Sequence, residues 1–283
     1  MKLSFCDQSN RDYFYKYSSW LITFLSFILL PFNLAELFSF EIIMIIWLVS
    51  VIGTLSILYF IIWQINKRRQ SISFKINNTA FEIKSGDIFD EKNSLKVIPF
   101  NEYFDTDIEK GIISEKTLNG IFINRFYKNS KFELDKAISN SLEEQKLPHK
   151  HNSDRNNGKQ DSYKLGTIAK IDKDYLLTAL THFDQDNNAQ IEINEYFSFL
   201  MIFWHEIYKL YDGEDITMPI FGNGRTRFKF SGNNTNINSQ KLIDLIIWTF
   251  KLSNIKLDSK ITIIISDKNK DDINLLDFKQ MNY

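Results

Sequence analysis

Cysteine is almost absent from this sequence, since Cys6 is the only one among 283 residues. One cysteine excludes a disulfide framework and a cysteine-rich metal site, and it fits a reducing compartment. Excess charge is also absent, because 34 basic residues face 35 acidic ones and the net charge is −1. No strong attraction to nucleic acid is therefore expected. The four histidines are too few to propose a Ser-His-Asp arrangement.

Two long apolar runs are present instead, at residues 20–40 and 42–63. A helix needs about 20 apolar residues to cross a bilayer, so we predict a two-helix transmembrane hairpin within residues 1–70. The spans are expected at about 17–38 and 42–65, with Pro31 kinking the first. Basic residues flank the pair, ending in Lys67-Arg68-Arg69, while none lies between the spans. The positive-inside rule then places both termini in the cytoplasm. A cleaved signal peptide and a buried core hairpin are the alternatives.

Small residues recur on one side of the second span. Ser50, Gly53, Thr54 and Ile57 follow three-and-four spacing, which permits close approach of helices in lipid. This pattern favours hairpin closure or self-association into a homo-oligomer. A chance scatter of small residues gives the same pattern, so both explanations stay open.

From residue 71 to the end, strand-like and helix-like segments alternate. Alternating apolar and polar residues predict strands at 71–84, and helical spacing predicts helices at 130–147, 193–211 and 238–253. The polar stretch 146–160 predicts an exposed loop. We therefore predict an α/β domain over residues 71–283, with helices on both faces of a mixed sheet.

Two predicted strand ends carry groups that suit a ligand, because ligands of such sheets bind beyond the carboxyl ends of strands. The first is Gly86-Asp87-Ile88, followed by a strand that ends at Asn101. The second is a Gly-x-Gly turn with an Arg, Gly222 to Thr226. Glycines let backbone N–H groups approach an anion, and an Arg adds a charge-assisted contact. An ordinary tight turn explains Gly-x-Gly equally well.

Taken in this order, the segments resemble a macro domain, the three-layer α/β fold that binds ADP-ribose. The resemblance implies that Asp87, beside Ile88, recognises the adenine amino group and that Asn101 approaches the distal ribose. It implies that Gly222, Asn223, Gly224, Arg225 and Thr226 form a phosphate loop, with Phe104 and Asp105 also at the ligand.

With the preceding apolar runs, the chain is more closely similar to the membrane-anchored effectors of bacterial Thoeris antiphage systems. The resemblance implies a TIR-domain partner that makes an ADP-ribose-derived signal, expected to be a histidine–ADP-ribose conjugate. Binding of that signal would drive oligomerisation and disruption of the lipid bilayer, followed by cell death or arrest.

The segment after Asn101 departs from the hydrolytic macro domains, which continue with a second Asn and a glycine run. Here Glu102 follows, without glycines. We therefore expect binding rather than catalysis, with no catalytic residue and no cofactor. The alternatives are a membrane-tethered ADP-ribosyl hydrolase and a passive anchored binding module.

Two metal-site patterns are incomplete. Residues 184–195 match a calcium loop at several positions but carry Ala189 where the turn needs a glycine. His205-Glu206 lacks a second His, since Lys209 stands in its place. No metal is predicted.

Overall fold

The computed structural model describes residues 7–29 and 40–280, and it divides into two compact units. The first unit ends at Ile72 and also includes the chain from Ile273 onwards; the second spans Ser73–Asp272.

The helices of the first unit are α1 (Gln8–Leu29), α2 (Phe40–Lys67) and α7 (Leu275–Gln280). The N-terminal part of α1 packs on the C-terminal part of α2: the Phe14 and Tyr59 rings lie 5.2 Å apart, and Asn66 Nδ2 donates to Asn10 Oδ1 at 3.3 Å. The two helices are therefore antiparallel.

Among the described helices, only α2 is long and apolar enough to cross a membrane. Its stretch Met44–Lys67 has 24 residues, and the apolar part of that stretch has a mean hydropathy of 2.5 and no buried residue. At a rise of about 1.5 Å per residue it extends about 36 Å, enough for a hydrocarbon core of about 30 Å. Of the predicted first span, only residues 17–29 are described, as the last part of α1, so this span stays a prediction. Pro31 and the rest of that span lie outside the described residues.

The small-residue face of α2 does not close the hairpin in the part of the chain that the structure describes. Gly53 has no atom within 4 Å of the position that a Cβ would take, and Ser50 and Ile57 are exposed. The Thr54 hydroxyl donates to the Ser50 carbonyl at 2.8 Å, inside its own helix. Self-association through this face stays a prediction.

The chain from Ser71 onwards forms a mixed α/β sheet, as predicted. Ten strands share one sheet in the order β1-β2-β12-β9-β3-β7-β8-β10-β11, with β6 also pairing with β7, and β4 and β5 form a separate hairpin. The strands are β1 (Ser71–Ile76), β2 (Thr79–Ser85), β3 (Ser94–Asn101), β4 (His149–His151), β5 (Asp161–Tyr163), β6 (Ile168–Ile171), β7 (Tyr175–Phe183), β8 (Ala189–Glu192), β9 (Asp215–Pro219), β10 (Arg227–Phe230), β11 (Asn233–Thr235) and β12 (Lys260–Ile265).

Helices cover both faces of the central strands. Ile98 and Phe100 of β3 pack with α3 (Leu118–Phe126) and α4 (Lys131–Glu144). The alternate residues Leu95 and Val97 are also fully buried but lie outside that cluster, as the two-residue period of a strand requires. The second core belongs to α5 (Ile193–Leu210) and α6 (Ser239–Ser253). There the ring of Trp204 lies 4.9 Å from that of Phe250.

The short strands β4, β8, β10 and β11 were not predicted. The predicted loop at 146–160 contains β4, whose His149 pairs with Tyr163 of β5. The hairpin of β10 and β11 continues from β8 at the end of the sheet. Strands of three or four residues carry too little alternation to stand out from a polar loop.

Candidate functional site

Five strands run in parallel at the centre of the sheet, in the order β2, β12, β9, β3 and β7. All of them except β12 end at or near a residue of the candidate site. Their carboxyl ends therefore meet at one sheet edge. Asp87 follows β2, Gly222 follows β9, Asn101 ends β3, and His182 lies near the end of β7. The topology thus brings the three predicted site segments to the edge where ligands of such sheets bind.

Asp87 presents a carboxylate at this edge. One oxygen, Oδ1, accepts a hydrogen bond from the Phe89 N–H at 3.0 Å and so caps the short 3-10 helix Ile88–Asp90. The other, Oδ2, lies 3.5 Å from Arg125 Nη1, and both side chains are about half exposed. Ile88 is buried beneath them. The Asp87 carboxylate is therefore fixed in direction and still accessible to a hydrogen-bond donor.

Asn101 holds the loop that follows β3 in shape. Its Oδ1 accepts from the backbone N–H groups of Tyr103 and Asp105, at 3.0 and 3.2 Å, and its Nδ2 donates to Asp105 Oδ2 at 2.9 Å. The turn also needs a positive φ of 51° at Phe104, which is uncommon for a bulky residue. Asn101 and Phe104 are both buried, so their side chains form the support of the edge rather than its exposed surface.

Asp105 fastens a polar loop to this turn. We call residues 152–160, between β4 and β5, the strap. Arg155 of the strap donates to both Asp105 oxygens, at 3.1 and 2.7 Å, and the Lys159 N–H adds a third bond at 2.8 Å. The Arg155 guanidinium also lies over the Tyr103 ring, 3.9 Å from its centroid. The side chains of Asp105 and Arg155 are only 1% and 8% exposed, so a buried bidentate ion pair holds the strap.

The loop after β9 borders a cavity of about 340 Å³. Gly222, Asn223, Gly224 and Thr226 line it, whereas Arg225 is exposed and does not. Gly222 has a φ of +78°, and a Cβ there would overlap the Phe228 ring, so this position requires glycine. The predicted phosphate loop is thus a formed pocket wall.

Neighbouring elements hold this wall. The Tyr196 hydroxyl donates to the Phe221 carbonyl at 2.9 Å, and burial raises the pKa of Tyr196 above its usual range. Asn223 Oδ1 accepts from Ser239, the first residue of α6, at 2.9 Å. The loop is therefore tied to α5 and to the amino end of α6, where the helix dipole favours anions.

The opposite wall of this cavity comes from the β10–β11 hairpin and the residues after it, which were not predicted. These residues are Arg227, Phe228, Asn234, Thr235, Asn236 and Ile237. A sequence signal was present in Phe228, Phe230 and the turn at Ser231-Gly232, which together have the pattern of a short hairpin. Arg227, rather than the predicted Arg225, is the basic side chain at the cavity.

His182 lies between two carboxylates at the same sheet edge. Its Nδ1 is 2.8 Å from Glu102 Oε2, and its Nε2 is 3.3 Å from Glu195 Oε1. The hydrogen bond to Glu102 is the main cause that raises the pKa of His182, with further attraction from Glu195, against the opposing effect of burial. His182 therefore links the end of β3 to the first turn of α5.

The loop at 184–195 forms an ordinary turn and no calcium-loop geometry. Asp184 Oδ1 accepts from the N–H groups of Asp186 and Asn188, at 3.0 and 2.8 Å. Burial acts to raise the pKa of Asp184, but these bonds lower it on balance. A strand, β7, precedes the turn where a calcium loop would have a helix. Within residues 7–29 and 40–280, no group of three or more His, Cys, Asp or Glu side chains is placed to hold a metal ion.

Comparison with known proteins agrees with this arrangement. The family model described as Thoeris protein ThsA, Macro domain, matches residues 81–266, so the site-bearing unit is a macro domain. The Thoeris protein ThsA of Bacillus amyloliquefaciens (strain Y2) is 36% identical over 214 residues, which cover 74% of this chain and 70% of that protein. The chain belongs to the ThsA family of Thoeris defence proteins.

Solved structures give a more distant likeness. An Oceanobacillus iheyensis macrodomain with ADP has a TM-score of 0.47 and 12% identity, covering 74% of this chain and 95% of that one. The same macrodomain with MES bound gives 0.46 and 12%, covering 73% and 94%. The family assignment rests on the family model and on the Bacillus relative.

Proposed function

We propose that this chain is a Thoeris antiphage effector whose macro domain binds an ADP-ribose-derived signal. The observation that carries the proposal is the shared sheet edge, where an accessible Asp87 carboxylate and the cavity at Gly222–Thr226 follow parallel strands. An ADP-ribosyl ligand carries an adenine amino donor at one end and two phosphates at its centre. The edge offers an acceptor for the first and backbone N–H groups, Arg227 and a helix amino end for the second.

The cavity size supports a partial fit of such a ligand. A volume of about 340 Å³ lies at the lower end of the roughly 300–1,000 Å³ that small-molecule sites enclose. We assign the diphosphate and its adjoining ribose to this cavity. Adenine then lies towards Asp87 and Ile88, and the distal ribose towards the Asn101 loop. Phe104 and Asp105 act beneath the ligand by holding that loop.

The Asn101 loop favours a receptor over a hydrolase. Both ends of the Asn101 carboxamide are already used inside the loop, and Glu102 stands where hydrolytic relatives would need a second amide. Catalysis of glycosidic hydrolysis requires a positioned water and ribose, and the carboxamide is committed elsewhere. We therefore propose binding without turnover, with histidine–ADP-ribose from a TIR-domain partner as the signal.

Calorimetry tests the binding proposal. The full chain in detergent is titrated with ADP-ribose and with histidine–ADP-ribose, and at least one is expected to bind. Asp87→Ala should weaken binding by tenfold or more, since it removes the adenine acceptor. The matched control is Asp258→Ala, an exposed aspartate just before β12 and so at the opposite sheet edge. Absence of binding by both ligands, or an equal loss in both variants, contradicts the proposal.

The hydrolase alternative has a direct test. Histidine–ADP-ribose is incubated with the chain, and free ADP-ribose is measured by chromatography. A receptor leaves the conjugate intact. Release of ADP-ribose that is lost in Asn101→Ala would establish the enzyme instead.

We further propose that α2 crosses the bacterial inner membrane and that signal binding drives oligomerisation through its small-residue face. Exposed Ser50, Gly53 and Ile57 in a long apolar helix support this, since small residues permit close helix contact in lipid. A second crossing at residues 17–38, with both termini cytoplasmic, stays a prediction. Gly53→Leu should reduce ligand-dependent oligomer size and toxicity without changing ligand affinity. If toxicity is unchanged, the hairpin is a passive anchor.

A further inference from the structure

A groove lies between α1 and α2, within the first unit. Its volume is about 470 Å³. One wall is aliphatic and comes from α2, between Leu58 and Ile65; the other comes from Tyr13 and Tyr17 of α1. The two tyrosine rings are stacked, with centroids 6.3 Å apart. The groove therefore has an ordered aromatic wall facing an aliphatic one.

The length of the groove matches a lipid tail in one leaflet. Leu58 and Ile65 are separated by seven residues, or about 10 Å along a helix. Half of a hydrocarbon core is about 15 Å thick. Because α2 ends at Lys67, the groove occupies the end of the helix that precedes the macro domain. An acyl chain lying along α2 would fill it without leaving that leaflet.

The end of the groove at the C-terminus of α2 is polar and basic. After α2, the Arg69 N–H donates to the Asn66 carbonyl at 3.2 Å, a turn that keeps Arg69 beside Asn66. Both side chains line the groove, and no described acidic residue does. Arg68, the preceding residue, is exposed and does not line it. A guanidinium is suited to phosphate because its N–H groups bind two oxygens at once.

A buried polar pair adds to this end. Asn66 donates to Asn10, and both are almost completely buried. Asn10 Nδ2 has no hydrogen-bond partner within the described residues. A buried donor without a partner is costly, so a polar group that reaches this pair would stabilise the structure.

We propose that the groove binds an anionic glycerophospholipid of the cytoplasmic leaflet. One acyl chain lies along Leu58, Ile62 and Ile65, and the headgroup phosphate is bound by Arg69 beside Asn66. The inference rests on the proposed membrane insertion of α2. Arg69 would then contact a lipid phosphate directly, in addition to marking the cytoplasmic end of α2 together with Lys67 and Arg68.

Two adjacent arginines provide the test. The full chain in neutral detergent is titrated with dioleoyl-phosphatidylglycerol and with dioleoyl-phosphatidylcholine, and bound lipid is counted by native mass spectrometry. Phosphatidylglycerol should bind more tightly. Arg69→Gln should weaken its binding by about tenfold, whereas Arg68→Gln, with the same loss of charge, should change it by less than about twofold. Equal effects of both variants, or equal binding of both lipids, would overturn the proposal.

A substitution that fills the groove tests acyl-chain binding without changing Arg69. Ile62→Trp should displace the acyl chain and reduce phosphatidylglycerol binding, while Ile52→Trp, on the exposed part of α2 outside the groove, should leave it unchanged. Flotation of the chain with vesicles distinguishes failure of membrane insertion from failure of the lipid site. A chain that fails to insert overturns both the membrane proposal and this one; a chain that inserts but shows no Arg69 dependence overturns only the lipid site.

Discussion

The buried ion pair between Asp105 and Arg155 gives the sharpest prediction. Asp105 accepts four hydrogen bonds: one from Asn101 Nδ2, one from the Lys159 N–H and two from Arg155. Arg155→Met keeps an unbranched apolar stem but removes the guanidinium and with it both charge-assisted bonds to Asp105. The carboxylate, which is 1% exposed, is then left buried without a counter-charge.

The expected cost is large because water cannot replace Arg155. Breaking a buried ion pair by removing one partner costs about 3–5 kcal/mol. For a domain of this size, about 1 kcal/mol corresponds to roughly 2–4 °C in Tm. Arg155→Met should therefore lower the Tm of the macro domain by roughly 6–20 °C. Fluorescence of the fully buried Trp204 in the full chain follows the transition.

Two comparisons make the result interpretable. Lys209→Met breaks the ion pair with Glu206, in which Lys209 is 52% exposed, and should cost less than about 1 kcal/mol. The double variant Asp105→Asn/Arg155→Met removes the orphaned charge and should be more stable than Arg155→Met alone. If Arg155→Met behaves like Lys209→Met, the strap is not held by a buried charge pair and the reasoning fails.

Three further predictions concern the site. Tyr196→Phe removes a fully buried hydrogen bond to the loop after β9, so it should cost about 1–3 kcal/mol in urea unfolding and should also weaken ligand binding. Gly222→Ala places a Cβ against the Phe228 ring at a positive φ and should lower the free energy of unfolding by at least about 1 kcal/mol. Gly224→Ala, where a Cβ would meet open space, should cost less. Equal losses of stability in the two variants would contradict the close approach of Gly222 to Phe228. The pKa of His182 is raised in the folded state. Its stabilising contribution is therefore fully present below the unfolded pKa and is lost as pH rises through the folded pKa. The difference in unfolding free energy between wild type and His182→Gln should shrink between pH 6 and 9, and a constant difference would contradict the link to Glu102.

Part of the candidate site could be predicted from the sequence, and the part that could not depends on how distant strands and loops pair in the folded chain. Asp87 and the Gly222–Gly224 turn were found because they follow apolar strand segments, and strand ends of a parallel sheet meet at one edge. Arg227 was missed, and Arg225 was chosen instead, because the side on which an arginine lies depends on the pairing of β10 with β8. The partners of Asp105 could not be predicted either, because Arg155 and Lys159 lie about fifty residues away in a polar segment.

Local patterns in the sequence determine the order of strands and helices, the apolar helix α2 and the glycine turn after β9, because each depends on the spacing of neighbouring residues. Family membership also depends on the sequence alone. Only the tertiary structure decided that the Asn101 carboxamide is used within its own loop, that Asp105 is paired with Arg155, and that Gly53 of α2 meets open space. The pairing of Asp105 with Arg155 joins residues fifty positions apart. The bonds of Asn101 depend on the backbone conformation of the folded turn, and the space beside Gly53 depends on how the helices of the first unit pack, so local spacing decides none of the three.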